Sequence, residues 1–287
     1  MSEPKFFGKY VLLSQMEAKI VTRTPLRVGR GREMSVVESD LPIMKNSENV
    51  PIIPGSSLKG FFRANSERII ANIINRENTE QLIRKIFGSS EKNESGSAIF
   101  FYDLKAKEPN YKLENRKHIK INPETGGVNN LFEVECVMDG ALFEGLLATT
   151  RNLSPAFIGI VQPVIELASL GISRLGGFKS RGYGAVDITI NKLTLIIPGK
   201  SKENLREGLE IHPTVPRIGT IKPTYIKTKN GNEVTLREID EISFKAKVEE
   251  APSYLGTKIT VEDTKETSKL LSSLASQLQK YLVAEKQ

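Results

Sequence analysis

Apolar positions alternate, with lapses, over residues 9–22, and that period near two predicts a strand. A short apolar run at 50–53 reads as another. From Leu58 to about Ile74 the period lengthens. Leu58, Phe61, Phe62, Ile69, Ile70 and Ile73 fall on one stripe of an amphipathic helix. A second helix is predicted over 79–87 and a strand over 97–104. Residues 110–130 are polar and basic, with turn chemistry at Asn122-Pro123-Glu124-Thr125-Gly126-Gly127. Strands follow at about 131–138 and 141–150. Ser154-Pro155 opens a helix to Leu170, with Gly171 as its stop and Pro163 a candidate kink. A strand is predicted over 185–197, and Pro198-Gly199-Lys200 marks a boundary. Beyond it lie short strands and a final helix over 262–286, with Leu270, Leu271, Leu274 and Leu278 on one stripe. The order is α+β and suits a ferredoxin-like sheet carrying insertions.

Charge adds a direction to this outline. The 287 residues carry 41 Lys and Arg against 34 acidic residues, a formal charge of +7 that leans toward polyanions. One cysteine, Cys136, excludes an internal disulfide. The start, Met1-Ser2-Glu3-Pro4-Lys5, lacks the order of a secretion signal, so a cytoplasmic protein is expected. No apolar run approaches a membrane span, so no membrane partner is expected. Two distant histidines and one cysteine fall short of a structural zinc set, and no zinc is expected.

Two stretches carry candidate chemistry. Ile53-Pro54-Gly55-Ser56-Ser57-Leu58-Lys59-Gly60 reads as a strand end, a turn and a helix start. Ser56 or Ser57 is placed to cap the helix, whose free N–H groups and dipole favour an anion. Lys59 and Arg63, four apart, share a helical face, and Gly60 lets a ligand approach. Lys59 precedes Gly60 and Phe61 follows, which excludes a nucleotide-binding P-loop. The plain alternative is a capped helix with two exposed cations. The segment 171–184 interleaves five glycines with Arg174, Lys179 and Arg181, a composition able to form an anion-binding nest. The alternative there is a long flexible turn. The run 181–188 also partly matches an RNA-recognition strand. Ala185 and Ile188 fill aromatic positions, which favours backbone contact over base stacking.

The chain resembles the RAMP proteins of CRISPR–Cas systems, especially the repeated backbone subunit of type III effector complexes. Thr24-Pro25-Leu26-Arg27-Val28-Gly29, Asp40-Leu41-Pro42-Ile43, the Pro-Gly-Ser-Ser stretch and the loop 176–184 carry the likeness over roughly residues 8–197. The resemblance implies a modified RNA-recognition fold, residues 1–197, with a thumb hairpin near 105–135. It implies guide CRISPR RNA, target RNA and other subunits, copies of itself included, as partners. Arg27, Arg30, Ser56, Ser57, Lys59, Arg63, Arg174, Lys179 and Arg181 are the expected RNA contacts, with Arg116, Lys117, His118 and Lys120 on the thumb. The thumb run reads equally as a solvated charge cluster.

The same likeness places Asp40 at target-RNA cleavage. There the RNA's own 2′-hydroxyl is the nucleophile, the product is a 2′,3′-cyclic phosphate, and Asp40 either holds Mg2+ or accepts a proton. Otherwise Asp40 caps a turn before Pro42, and Glu33 and Glu38 are read as solubilising that loop. Residues 198–287 depart from the family pattern as a C-terminal extension. The activity expected is an endoribonuclease within an assembled complex. The alternatives are a non-catalytic structural subunit, or an endonuclease maturing precursor CRISPR RNA through His118.

Overall fold

The computed structural model describes residues 9–30, 41–89, 96–215, 223–229, 231–252 and 254–284. Asp40, Glu33 and Glu38 lie outside them. The order among the described residues opens with β1 (Leu13–Thr22), β2 (Ile52–Ile53), α1 (Gly55–Ile70), α2 (Arg76–Phe87), β3 (Ile99–Phe101) and β4 (Leu104–Ala106). It continues through β5 (Leu113–Ile121), β6 (Val128–Val137), β7 (Leu142–Arg151), α3 (Pro155–Ile158), α4 (Val161–Ser169) and β8 (Val186–Ile197). The chain closes with α5 (Lys202–Glu207), β9 (Leu209–Ile211), β10 (Thr224–Lys229), β11 (Glu233–Arg237), β12 (Glu241–Lys245), β13 (Lys247–Glu250), β14 (Thr257–Val261) and α6 (Thr264–Ala284).

The centre is an antiparallel sheet in the order β8-β1-β7, with β3 and β4 both pairing β7. With α1 after β1 and α4 after β7, this is the βαββαβ ferredoxin-like plan. Strict alternation along β1 explains its place. Ser14, Met16, Ala18, Ile20 and Thr22 are buried under the helices, while Gln15, Lys19 and Val21 face out. The segment beyond residue 198 builds onto this core. β14 pairs with β8 and β13 with β14, which widens the sheet. β9 to β12 form a separate four-stranded sheet. Leu270, Leu271, Leu274 and Leu278 of α6 are buried, and the helix packs against α3, α4 and β8.

Two expectations change. The helix predicted over 154–170 is broken into α3 and α4 at Gly159, not at Pro163. A Cβ on Gly159 would strike the main chain of Leu274 and Ala275, so the break marks where α6 crosses. Pro163 stands in the first turn of α4, where its missing N–H costs nothing. Neither Ser56 nor Ser57 caps α1. The helix starts one residue earlier, with Pro54 as its cap position and no side-chain capping bond from that residue. The Gly55 N–H donates instead to Asp103 Oδ1 at 2.8 Å. A carboxylate of the chain itself thus meets the positive end of that helix.

Polar and basic residues 113–137 form a two-stranded hairpin, β5 with β6, closed by a turn at 122–127. Alternation splits it into two faces. Arg116, His118 and Lys120 share one face with Phe132 and Val134. Ile119, Ile121, Val128 and Leu131 share the other and are each more than half exposed.

Candidate nucleic-acid interface

Four separated stretches meet beside the hairpin base. The glycine loop is strapped to the residues after β1, with Gly177 N–H donating to Arg27 O (2.8 Å) and Gly184 N–H to Pro25 O (2.9 Å). Gly176 has φ +79°, and a Cβ there would strike the Arg27 carbonyl, so this approach needs glycine. Leu26 and Val137 exchange both main-chain hydrogen bonds, fixing the hairpin to the same strap. Residues 41–45 are pinned by Glu135, whose carboxylate accepts from Ile43 N–H (3.0 Å) and pairs with Lys45 (2.6 Å).

Between these stretches and α1 runs a groove of about 590 Å3. Ser57, Gly60, Ala64 and Arg68 line it from α1, Gly176, Gly177 and Lys179 from the loop, and Arg27, Gly29 and Leu41 from the strap. Its charged side chains are Arg27, Arg68 and Lys179; no carboxylate lines it among the described residues. The Arg27 guanidinium stands 5.3 Å over the Phe178 ring, and burial pulls its pKa below the usual arginine value. Its Nε is buried without a hydrogen-bond partner among the described atoms. A trough with cations at both walls and glycine on two sides admits a sugar-phosphate chain.

The expected contacts divide. Arg27, Ser57 and Lys179 line the groove. Lys59 and Arg63 do not, because they stand about a third to half a turn around α1 from Ser57. Arg63 Nη1 donates to the carbonyl of Gly88 (2.6 Å), closing the end of α2. Burial, and then Arg63, lower the Lys59 pKa. Ser56 is exposed at the start of α1. Arg30 is exposed, with its N–H bonded to Pro42 O (3.2 Å). Arg174 Nη1 donates to Lys179 O (3.1 Å) inside the loop itself. Lys117 lies on the far face of the hairpin beside Glu133 (3.9 Å), and Lys120 is exposed near the tip.

Arg116, His118 and Arg181 enter a second cluster at the junction of hairpin and loop. The His118 ring lies 5.7 Å from Phe132, 5.4 Å from Phe178 and 5.8 Å from Tyr183, and its Nε2 shares a 2.9 Å hydrogen bond with the Tyr183 hydroxyl. Arg181 stands 5.0 Å over Phe178 and Arg116 5.9 Å over Tyr183. Burial, then Arg181 and Arg116, hold the His118 pKa below the ordinary histidine value. Tyr183, the aromatic of the partial RNA-recognition match, is buried and carries no face to a base.

Arg68, Asn65, Phe132 and Phe178 were not among the expected site residues. Ser57, Ala64 and Arg68 recur at helical spacing, a signal that the period of α1 already carries. Phe132 and Phe178 have no such signal, since only the hairpin register and a loop conformation bring them together.

The sequence matches the RAMP superfamily over residues 19–187. The chain belongs to that superfamily. Two similar proteins are each named CRISPR system Cms endoribonuclease Csm3. The one from Enterococcus italicus is 26% identical over 204 residues, 65% of this chain and 94% of that protein. The one from Streptococcus thermophilus is 25% identical over 222 residues, 68% of this chain and 96% of that protein. Two solved structures are also similar. A chain of the type III-B Cmr-beta complex bound to cognate target RNA has a TM-score of 0.44 and 18% identity, covering 63% of this RAMP chain and 59% of its own length. A chain of the apo Cmr-beta complex has a TM-score of 0.46 and 15% identity, over 62% and 96%.

Proposed function

We propose that this chain is a guide-RNA-binding backbone subunit of a type III CRISPR effector complex, and that it cuts bound target RNA. One observation carries the reading: α1 and the glycine loop line a single groove whose charged groups, among the described residues, are all cations. The relatives named as CRISPR endoribonucleases, matched over almost their whole lengths, support it. In this reading the guide backbone lies in the groove. The apolar hairpin face of Ile119, Ile121, Val128 and Leu131 wedges against bases, as apolar side chains do when they unstack a duplex.

Asp40 is the proposed cleavage carboxylate. Leu41, the next residue, lines the groove. The 2′-oxygen attacks the neighbouring phosphorus, the bond to the 5′-oxygen breaks, and the departing 5′-oxygen takes a proton from water, leaving a 2′,3′-cyclic phosphate and a 5′-hydroxyl. Asp40 accepts the 2′-hydroxyl proton. The described groove donors are guanidinium, ammonium, hydroxyl and amide groups, a set that fits phosphate, and Asp40, the residue that would hold magnesium, lies outside the described residues. Among the described residues no three His, Cys, Asp or Glu side chains gather for a metal.

Target-RNA cuts mapped with the whole complex, wild type against Asp40→Ala, with and without a chelator, test the reading. D40A is expected to hold guide and lose cuts. Cutting that survives the chelator removes the expected magnesium. Cuts that persist at every site with D40A favour the non-catalytic structural subunit, a reading supported by the sheet and helix added beyond residue 198. A His118-dependent processing nuclease is disfavoured by the enclosure of that ring.

A further inference from the structure

We infer that the ring box of His118, Phe132, Phe178 and Tyr183 couples the thumb hairpin to the glycine loop, and that His118 is a positioning residue in it and not a phosphate ligand. The box draws on both sides. Phe132 lies directly opposite His118 in the hairpin ladder. Phe178 reaches it from a left-handed backbone position (φ 55°), which a phenylalanine adopts only when its surroundings hold it there. Tyr183 is fixed between Gly182 (φ +88°) and Gly184 (φ +83°).

The arginines are spent on the box as well as on solvent. Arg27 and Arg181 stand over Phe178, and Arg116 over Tyr183. A histidine that neutralises a phosphate charge must be cationic. This one sits between Arg116 and Arg181 with its Nε2 committed to Tyr183, an arrangement that favours the neutral ring.

A lone two-stranded hairpin is marginal in water, so its direction must be set at its base. Among the described residues the Leu26–Val137 main-chain pair and the Glu135 contacts to residues 41–45 fasten the base to the strap, and the ring box fastens it to the glycine loop. The strap contacts fix the hairpin's position along the strap. The ring box fixes tilt toward the loop. Any strand that draws Arg181 or the Lys179 segment therefore acts on the side chains that aim the thumb. That this coupling serves guide and target rests on the reading above; the coupling itself does not.

Hydrogen exchange of the full chain tests it, comparing wild type, His118→Ala and His118→Phe. H118A is expected to raise exchange about tenfold or more in both 113–121 and 176–184, with β1 and β8 unchanged. H118F, which keeps the stacking, restores most of the protection. Looser exchange in the hairpin alone, or in neither segment, overturns the coupling. If H118A exchanges globally, Phe178→Ala decides instead, since it removes the loop-side ring that meets His118, Phe132 and Tyr183 and must loosen both segments together.

A second arm titrates a fluorescent, unstructured single-stranded RNA against salt at about pH 6 and about pH 8. The positioning role predicts one wild-type salt slope at both pH values, whereas a phosphate-binding imidazolium would steepen it by about one at pH 6. No RNA binding by wild type, with exchange still coupled, would remove the groove reading and leave the coupling standing.

Discussion

Arg63 and Arg68 lie five residues apart on α1 and have different tasks. Arg63 closes α2 through the Gly88 carbonyl, while Arg68 faces the groove with Ser57. Arg63→Ala should therefore lower stability by about 1–2 kcal/mol in a denaturant titration, the usual effect of losing a charge-assisted hydrogen bond. Arg68→Ala should leave stability nearly unchanged, weaken RNA binding and reduce the salt slope by about one. His118 adds a pH term. Its pKa in the folded chain is held below the ordinary value of about 6.5, so the unfolded chain takes up the proton first. The box is intact above about pH 6.5 and weakens as pH falls from there through the folded value. Exchange protection of the hairpin and loop should drop together over that window in wild type and stay flat in H118F.

At the scale of elements, glycine marks where surfaces meet. A Cβ on Gly55 would strike the Phe101 carbonyl and one on Gly159 the main chain of α6, whereas one on Gly60 would meet nothing. Gly159→Ala should push α6 off its seat and cost about 1–3 kcal/mol by thermal melting, the range for overpacking. Gly60→Ala should raise helix stability by up to about 1 kcal/mol and still weaken RNA binding, because the added methyl narrows the groove. These contrasts explain what the chain makes legible. The periods of β1, α1 and α6 reveal their buried faces, because each element packs one stripe on the core. The stretches 53–60 and 171–184 are readable as phosphate chemistry because glycine and cations interleave there. The cap of α1 is not, since Asp103 arrives from a strand end 48 residues away. The ring box is not, since its members come from three places that only the folded register unites.

One apolar core runs from Leu12 to Leu282, and buried polar contacts tie the four-stranded sheet to it. Glu238 lies buried where the residues after β11 meet the start of α3, accepting from Ser154 Oγ and the Ala156 N–H, with Thr224 as a third donor. Burial pushes its carboxyl up, and the three donors answer by stabilising the ionised form. Glu238→Ala should cost about 3 kcal/mol, leaving three buried donors unanswered, with the loss read as earlier melting of α6 and the four-stranded sheet. Gln277 reinforces that junction by donating to Asp240 O at 2.9 Å. The pairing of β14 on β8, and of β13 on β14, has a further consequence. Two added strands at about 4.8 Å each move that flank outward by about 10 Å. A neighbouring molecule shaped to lie flush along β8 would collide with this chain before reaching it, and would find Lys247, Glu249 and Glu250 at the new frontier.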